Sequence, residues 1–240
     1  TMKGVWHANH GHVDSAVTVE EDTVFMGTGR ERDDDKKNKC YAVAMNFEDG
    51  SLKWKHELPG SSWLTPTTWN NEVCFVVGEV YFKTERGHVV CFDKKTGEHK
   101  TAINVAEPVV ALPLVLDDTL YFSTVNGTLY SYDMKNKKVN WVQRGKDDGD
   151  AYAGPSYDAR NDLIVYPTFS EGVKVFQPDT GALVAHWNPS STQGEWVKNF
   201  AGVAIKDDVW VFADYKRMAR AIKATEILKE PKSLVKNSSL

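Results

Sequence analysis

The sequence predicts an all-β fold, a β-propeller built from four-stranded blades, on three observations. Strands of one type begin near Val24, Val73, Leu120, Ile164 and Val209, so the chain repeats about every 45 residues, the period of a propeller blade. Within each period a small, a large and a polar residue precede a tight turn, as in Ala44-Met45-Asn46, Cys91-Phe92-Asp93, Ser131-Tyr132-Asp133 and Val175-Phe176-Gln177. That alternation suits a strand lying between stacked sheets. Finally, no stretch sustains a helical period; the best helical candidate, Met218 to Leu234, also fits a degenerate strand.

The third period shows the unit most regularly. Val109 to Val115 is expected as its innermost strand, Leu120 to Ser123 as the second, Leu129 to Asp133 as the third and Val139 to Val142 as the fourth. Asn126-Gly127 is a strong hairpin signal between the middle two. Gly50, Gly97 and Gly181 stand at the turn after the third strand, where positive φ is wanted, and Lys137 stands there in the third unit. Trp54, Trp141 and Trp187 follow those turns, the last two residues late, and Thr101 fills the slot that lacks a tryptophan. A fifth, weaker copy contains Ala221-Ile222-Lys223 and no Trp-bearing outer strand.

About five units are visible, read as one domain over 1–240 with an N-terminal outer strand and loop at 1–12 and a polar tail at 226–240. Two arrangements follow: a closed five-bladed ring completed by Lys3-Gly4-Val5-Trp6, or part of a seven- or eight-bladed propeller whose open blade edges would support a dimer.

Composition narrows the function. A net charge of -4 argues against nucleic acid, which needs a basic surface. The longest apolar run, Val109 to Leu116, is too short to span a bilayer. The start carries no secretory leader, which leaves a cytosolic protein or a mature or trimmed chain. Cys40, Cys74 and Cys91 match no metal or redox spacing. They read as buried apolar thiols, with one disulfide and one leftover thiol as the alternative.

Departures from the repeat mark the candidate functional loops. His7, His10 and His12 in an inter-blade loop are candidate transition-metal ligands, against a polar loop that bonds its own backbone. The insertion 29–39 contributes Arg30 and Arg32, and the insertion 79–86 contributes Tyr81 and Phe82. Both are candidate partner contacts on one face. Asp33 to Asp35 lack the spacing of a calcium loop. The later inter-blade loops end in Tyr152 and Trp196, which would ring a channel mouth; with Trp63 they suggest a weaker sugar-binding reading. The sequons at Asn126 and Asn237 occur as often as chance allows, and Asn126 is explained by its turn.

The segments CFDKKTGEHKT at 91–101, AMNFEDGSLKW at 44–54 and VFQPDTGALVAHW at 175–187 resemble the pyrroloquinoline-quinone (PQQ) repeat. The resemblance covers most of residues 13–225. It implies that Trp54, Trp141 and Trp187 are structural residues docking on the next blade. It also implies an extracytoplasmic, periplasmic or secreted, location. Two activities occur in such a family: non-catalytic propellers that bind protein, and quinoprotein dehydrogenases with PQQ and Ca²⁺. No stretch matches the cofactor ligands of the latter, no two cysteines are adjacent, and no hydrolase or nucleotide motif stands in a suitable context. The reading is therefore a non-catalytic scaffold without cofactor that binds a protein or peptide through loops on one face. The alternative is a PQQ- or metal-dependent oxidoreductase, whole or fragment.

Overall fold

The computed structural model describes residues 5–30, 37–79, 86–146, 151–187, 201–213 and 219–229. They form antiparallel sheets in chain order. The first holds β1 (Thr18–Glu20), β2 (Thr23–Gly27), β3 (Cys40–Asn46) and β4 (Leu52–Leu58). The second holds β5 (Thr67–Trp69), β6 (Glu72–Val77), β7 (Gly87–Asp93) and β8 (His99–Val105). The third holds β9 (Leu114–Leu116), β10 (Thr119–Ser123), β11 (Leu129–Asp133) and β12 (Lys138–Gln143). The fourth holds β13 (Ser156–Asp158), β14 (Leu163–Pro167), β15 (Val173–Phe176) and β16 (Leu183–Trp187). The fifth has three strands, β17 (Ala204–Lys206), β18 (Val209–Ala213) and β19 (Ala219–Lys223), followed by α1 (Ala224–Lys229). These are the blades of a β-propeller. The chain divides into two compact units, 1–118 and 119–240, and each is described by itself.

The repeat is visible in the backbone. In every blade the first hairpin turns on a non-glycine residue of positive φ: Glu21, Asn70, Asp117, Asp162 and Asp207, with φ between 47° and 52°. Asp and Asn tolerate this region better than most residues. Where the third strand meets the fourth, a bulge falls between the small and the large residue of the motif, at Ala44/Met45, Cys91/Phe92, Ser131/Tyr132 and Val175/Phe176. A bulge at a fixed point adds the same extra twist to each blade.

Blades pack through the tryptophans. Trp54 Nε1 donates to Lys94 O at 2.9 Å and Trp141 Nε1 donates to Pro178 O at 2.7 Å, each acceptor being the first residue after the next blade's motif. The rings lie on the following turn. A Cβ at Gly97 would sit 2.7 Å from Trp54 Cγ, and one at Gly181 would sit 2.6 Å from Trp141 Cδ2. Both glycines are also left-handed, at φ 70° and 67°. Glycine is needed there twice over, for its φ and for the ring above it. Trp187 lies two residues late because it pairs opposite Val173 rather than Val175, and its ring meets Phe212 at a tilt, with 5.7 Å between centroids.

In the first unit Phe25, Ala44, Trp54 and Leu58 pack against Val73, Phe75, Val90 and Phe92. The other face of the first blade, Val24, Met26, Val43 and Met45, is covered by Trp6, Val13 and Tyr41. Burial on both faces explains why the middle strands read as continuous apolar runs. In the second unit Leu163, Val165, Val175 and Ala185 pack against Val203, Trp210, Phe212 and Ile227.

Three expectations are corrected. The innermost strand of the third blade is Leu114–Leu116, not Val109 to Val115. Pro108 and Pro113 bracket a buried segment, Val109 to Ala111, whose Val109 N–H reaches Val77 O at 3.4 Å; proline supplies no donor for a ladder. Of the stretch Met218 to Leu234, the described residues are strand over Ala219–Lys223 and then helix over Ala224–Lys229, because Asp208 caps the helix start by accepting from Thr225 N at 3.1 Å and Thr225 Oγ1 at 2.9 Å. Residues 226–229 of the expected polar tail thus lie in α1, with Ile227 buried. Finally, Cys74 and Cys91 are not free thiols. They sit directly opposite on β6 and β7 and form a disulfide, with Cα atoms 4.0 Å apart. Cys40 is free and buried, and burial pushes its thiol pKa up.

Candidate partner-binding face

The two insertions of the first unit leave the blades at equivalent points, after β2 and after β6. Arg30, the second residue of the first insertion, and Glu79, the first residue of the second, are separated by 49 residues and meet in space. Arg30 Nη1 lies 2.7 Å from Glu79 Oε1, with the side chains 15% and 5% exposed. The same carboxylate accepts from Ser61 N at 3.1 Å and from Ser61 Oγ at 2.9 Å. Arg30 N–H donates back to Ser61 Oγ at 3.0 Å, and Cys40 Sγ lies 3.7 Å from that hydroxyl. A charged pair this deep persists only when its remaining hydrogen-bonding capacity is met. Here Ser61, in the inter-blade turn Gly60-Ser61-Ser62, meets that of the Glu79 carboxylate. The result is a latch that ties the bases of both insertions to the loop joining their blades.

Around the latch the surface turns aromatic and basic. Gly29 lies under the Trp63 ring, where a Cβ would sit 3.2 Å from it. His12 meets Trp63 edge-on at 6.2 Å between centroids. Lys55 Nζ stands 3.8 Å over the Tyr41 ring, a cation–π contact. Two buried polar atoms beside the latch, Ser62 Oγ and Trp63 Nε1, have no hydrogen-bond partner among the described residues. The carboxylate of Glu79 is committed to its donors, so it is placed to hold structure rather than to move protons.

The histidines separate in role. His12 Nε2 lies 2.8 Å from Asp14 Oδ2 at the surface. Burial, and then the charge of Lys55, lowers the His10 pKa. His7 is exposed. Among the described residues the group that brings three potential ligand atoms within 4.8 Å is Glu72, Cys74 and Cys91, and its two thiols are joined in the disulfide. Among the described residues, His7, His10 and His12 do not stand in such a group.

Of the remaining candidates, Arg30 forms half of the latch. Tyr152 is half-buried in the second unit, beside Ala151, whose N–H donates to Val125 O at 2.8 Å. Arg32, Tyr81, Phe82 and Trp196 lie outside the described residues. Two participants escaped the sequence reading, Glu79 as a buried carboxylate and Trp6 as a docking residue. Trp6 Nε1 donates to Phe47 O at 2.9 Å, and its ring lies over Gly50 as Trp54 lies over Gly97. The signal for Glu79 was its register: it ends an apolar strand one repeat after Arg30. The signal for Trp6 was its spacing before Trp54.

The sequence profile of a family described as outer membrane protein assembly factor BamB matches residues 38–233. No curated protein matches the sequence. Among solved structures the chain is similar to BamB from Moraxella catarrhalis, at 14% identity and a TM-score of 0.50, over 91% of this chain and 74% of that one. It is similar to the quinohemoprotein alcohol dehydrogenase ADHIIG from Pseudomonas putida HK5, at 14% identity and a TM-score of 0.66, over 90% of this chain but 41% of that one. It also resembles the computationally designed Ika4 protein, at 14% identity and a TM-score of 0.53, over 66% of this chain and 88% of that one. At such identity these likenesses carry the fold alone.

Proposed function

The chain belongs to the family of outer membrane protein assembly factor BamB, a family of PQQ-like repeat propellers, and from that premise we propose that it is a non-catalytic scaffold in outer-membrane protein assembly. It binds a protein component of that apparatus through the face carrying the two insertions of the first unit. The observation that carries this reading is the latch. A buried Arg30–Glu79–Ser61 network fixes the points at which the two insertions leave their blades. The half-buried Trp63 ring beside it suits an interface, where tryptophan contributes a large apolar surface.

The reading places the chain outside the cytoplasm. The Cys74–Cys91 disulfide supports this, since such bonds persist in oxidising compartments. No helix among the described residues is long and apolar enough to cross a membrane.

The test replaces 31–36 and 80–85 separately by short glycine-containing turns and titrates each variant with purified subunits of the assembly apparatus. Binding falls at least tenfold for one or both variants while the melting temperature stays within a few degrees. Full affinity in both variants would contradict the proposal.

A further inference from the structure

The second unit holds a cleft that the scaffold does not need. In each unit a space lies between neighbouring blades, near the docked tryptophan's strand. Beside Trp54 that space is lined by His56, Val90, Phe92, His99 and Ala102. Beside Trp141 it is lined by Gln143, Lys174, Phe176, Leu183 and His186, and it encloses about 320 Å³. The two sites correspond by register. Val90 pairs with Ala102 as Lys174 pairs with His186, and Phe92 pairs with His99 as Phe176 pairs with Leu183. An apolar pair in one site is thus a lysine and a histidine in the other. The same two places hold Val43 with Lys55 in the first blade and Tyr130 with Val142 in the third, so among the four-stranded blades the pairing of a lysine with a histidine there belongs to the fourth.

The charges are arranged around an apolar floor. Leu129, Tyr166, Phe176 and Leu183 line the cleft. Lys174, 17% exposed, pairs with Glu171 at 2.6 Å, and His186 Nε2 lies 2.5 Å from Glu171 O. Gln143 is held by the Gly181 carbonyl at 2.7 Å. At the mouth stand Arg144 and Lys146, which have no ion-pair partner among the described residues. Among the described lining residues, Arg144, Lys146 and Lys174 are three cations beside the one carboxylate of Glu171. The pocket is about the size that holds one or two side chains.

We infer that this cleft recognises an extended acidic segment of a partner protein: a carboxylate held by Arg144 and Lys146, and an apolar side chain two residues away seated on Leu129, Phe176 and Leu183. Residues two apart point to the same side of an extended strand, so one short peptide presents both groups at once. The inference rests on the partner-binding reading and adds a second contact with its own chemistry.

The probe is a fluorescein-labelled extended peptide with Phe and Glu alternating at two-residue spacing, beside a twin carrying Gln for Glu. Anisotropy at low salt gives binding of the acidic peptide at least tenfold tighter than its twin, weakened by 0.5 M salt. The exposed double variant Arg144→Glu, Lys146→Glu removes the difference without changing the melting temperature. Equal binding of the two peptides, or an unchanged affinity in the double variant, overturns the inference. Competition by free glutarate at the concentration at which the peptide competes assigns the site to small carboxylates and also overturns it. A complex with assembly subunits but no peptide binding sinks this inference alone; peptide binding with no such complex sinks the scaffold reading alone.

Discussion

Gly97 carries two demands at once, a left-handed backbone and a tryptophan ring within van der Waals distance. Gly97→Ala meets neither, and is expected to destabilise the fold by about 2–4 kcal/mol from the φ penalty plus the clash. Lys137 provides the internal contrast. It is the one equivalent turn without glycine, and the blade before it in sequence carries Thr101 where the others carry tryptophan. Glycine and ring are absent together, so Lys137, at φ 53°, has only the backbone demand. Lys137→Gly is expected to change stability by no more than about 1 kcal/mol, in the stabilising direction. Urea denaturation of the two variants measures the contrast. At this scale the sequence was informative: glycine and tryptophan recur at fixed spacing because one cannot tolerate a Cβ beneath the other. The disulfide was not legible, because whether Cys74 and Cys91 are directly opposite depends on the pairing register of β6 and β7, and a one-residue slip would separate them.

Among the elements, the turns and the latch respond to different probes. Asp93 is held below the ordinary carboxylate range by the Thr96 backbone N–H, Asp133 by the Asn136 side chain, Asp49 by Ser51 and Asp208 by Thr225. A depressed folded pKa means that stability is present above the unfolded pKa and is lost as pH falls through the folded one. The melting temperature is therefore expected to stay level from neutrality to about pH 5 and to decline below about pH 4. Asp93→Asn should flatten part of that decline. The latch, by contrast, is buried. Arg30→Ala leaves the Glu79 carboxylate without its cation, at a cost of about 3–5 kcal/mol. The pair Arg30→Met with Glu79→Gln keeps an acceptor for Ser61 and removes both charges, so it should cost clearly less than Arg30→Ala alone. Most strands were legible from their apolar runs. Where the pattern misled, between Pro108 and Pro113, the apolar residues are buried for packing while the prolines deny them a ladder.

At the scale of the molecule, repetition makes the fold legible and the function hard to read. Each blade restates the same solution, so five imperfect copies identify a propeller where one would not. Function depends on what the copies do not share, and those features are single instances with no sister to compare. Arg30 was recognised as a departure and taken as a partner contact, while its ion pair with Glu79, one blade away, was not legible. Lys174 and His186 passed unnoticed because their equivalents, Val90 and Ala102, are defined only by strand register. The account rests on the chain being a binding scaffold rather than a quinone enzyme. The direct measurement is native mass spectrometry of the gently purified protein, alone and with purified outer-membrane assembly subunits. The account predicts a stoichiometric complex with one subunit and a free protein whose mass is that of the polypeptide with one disulfide. A mass increment matching bound quinone and calcium, with no complex formed by any subunit, would contradict it.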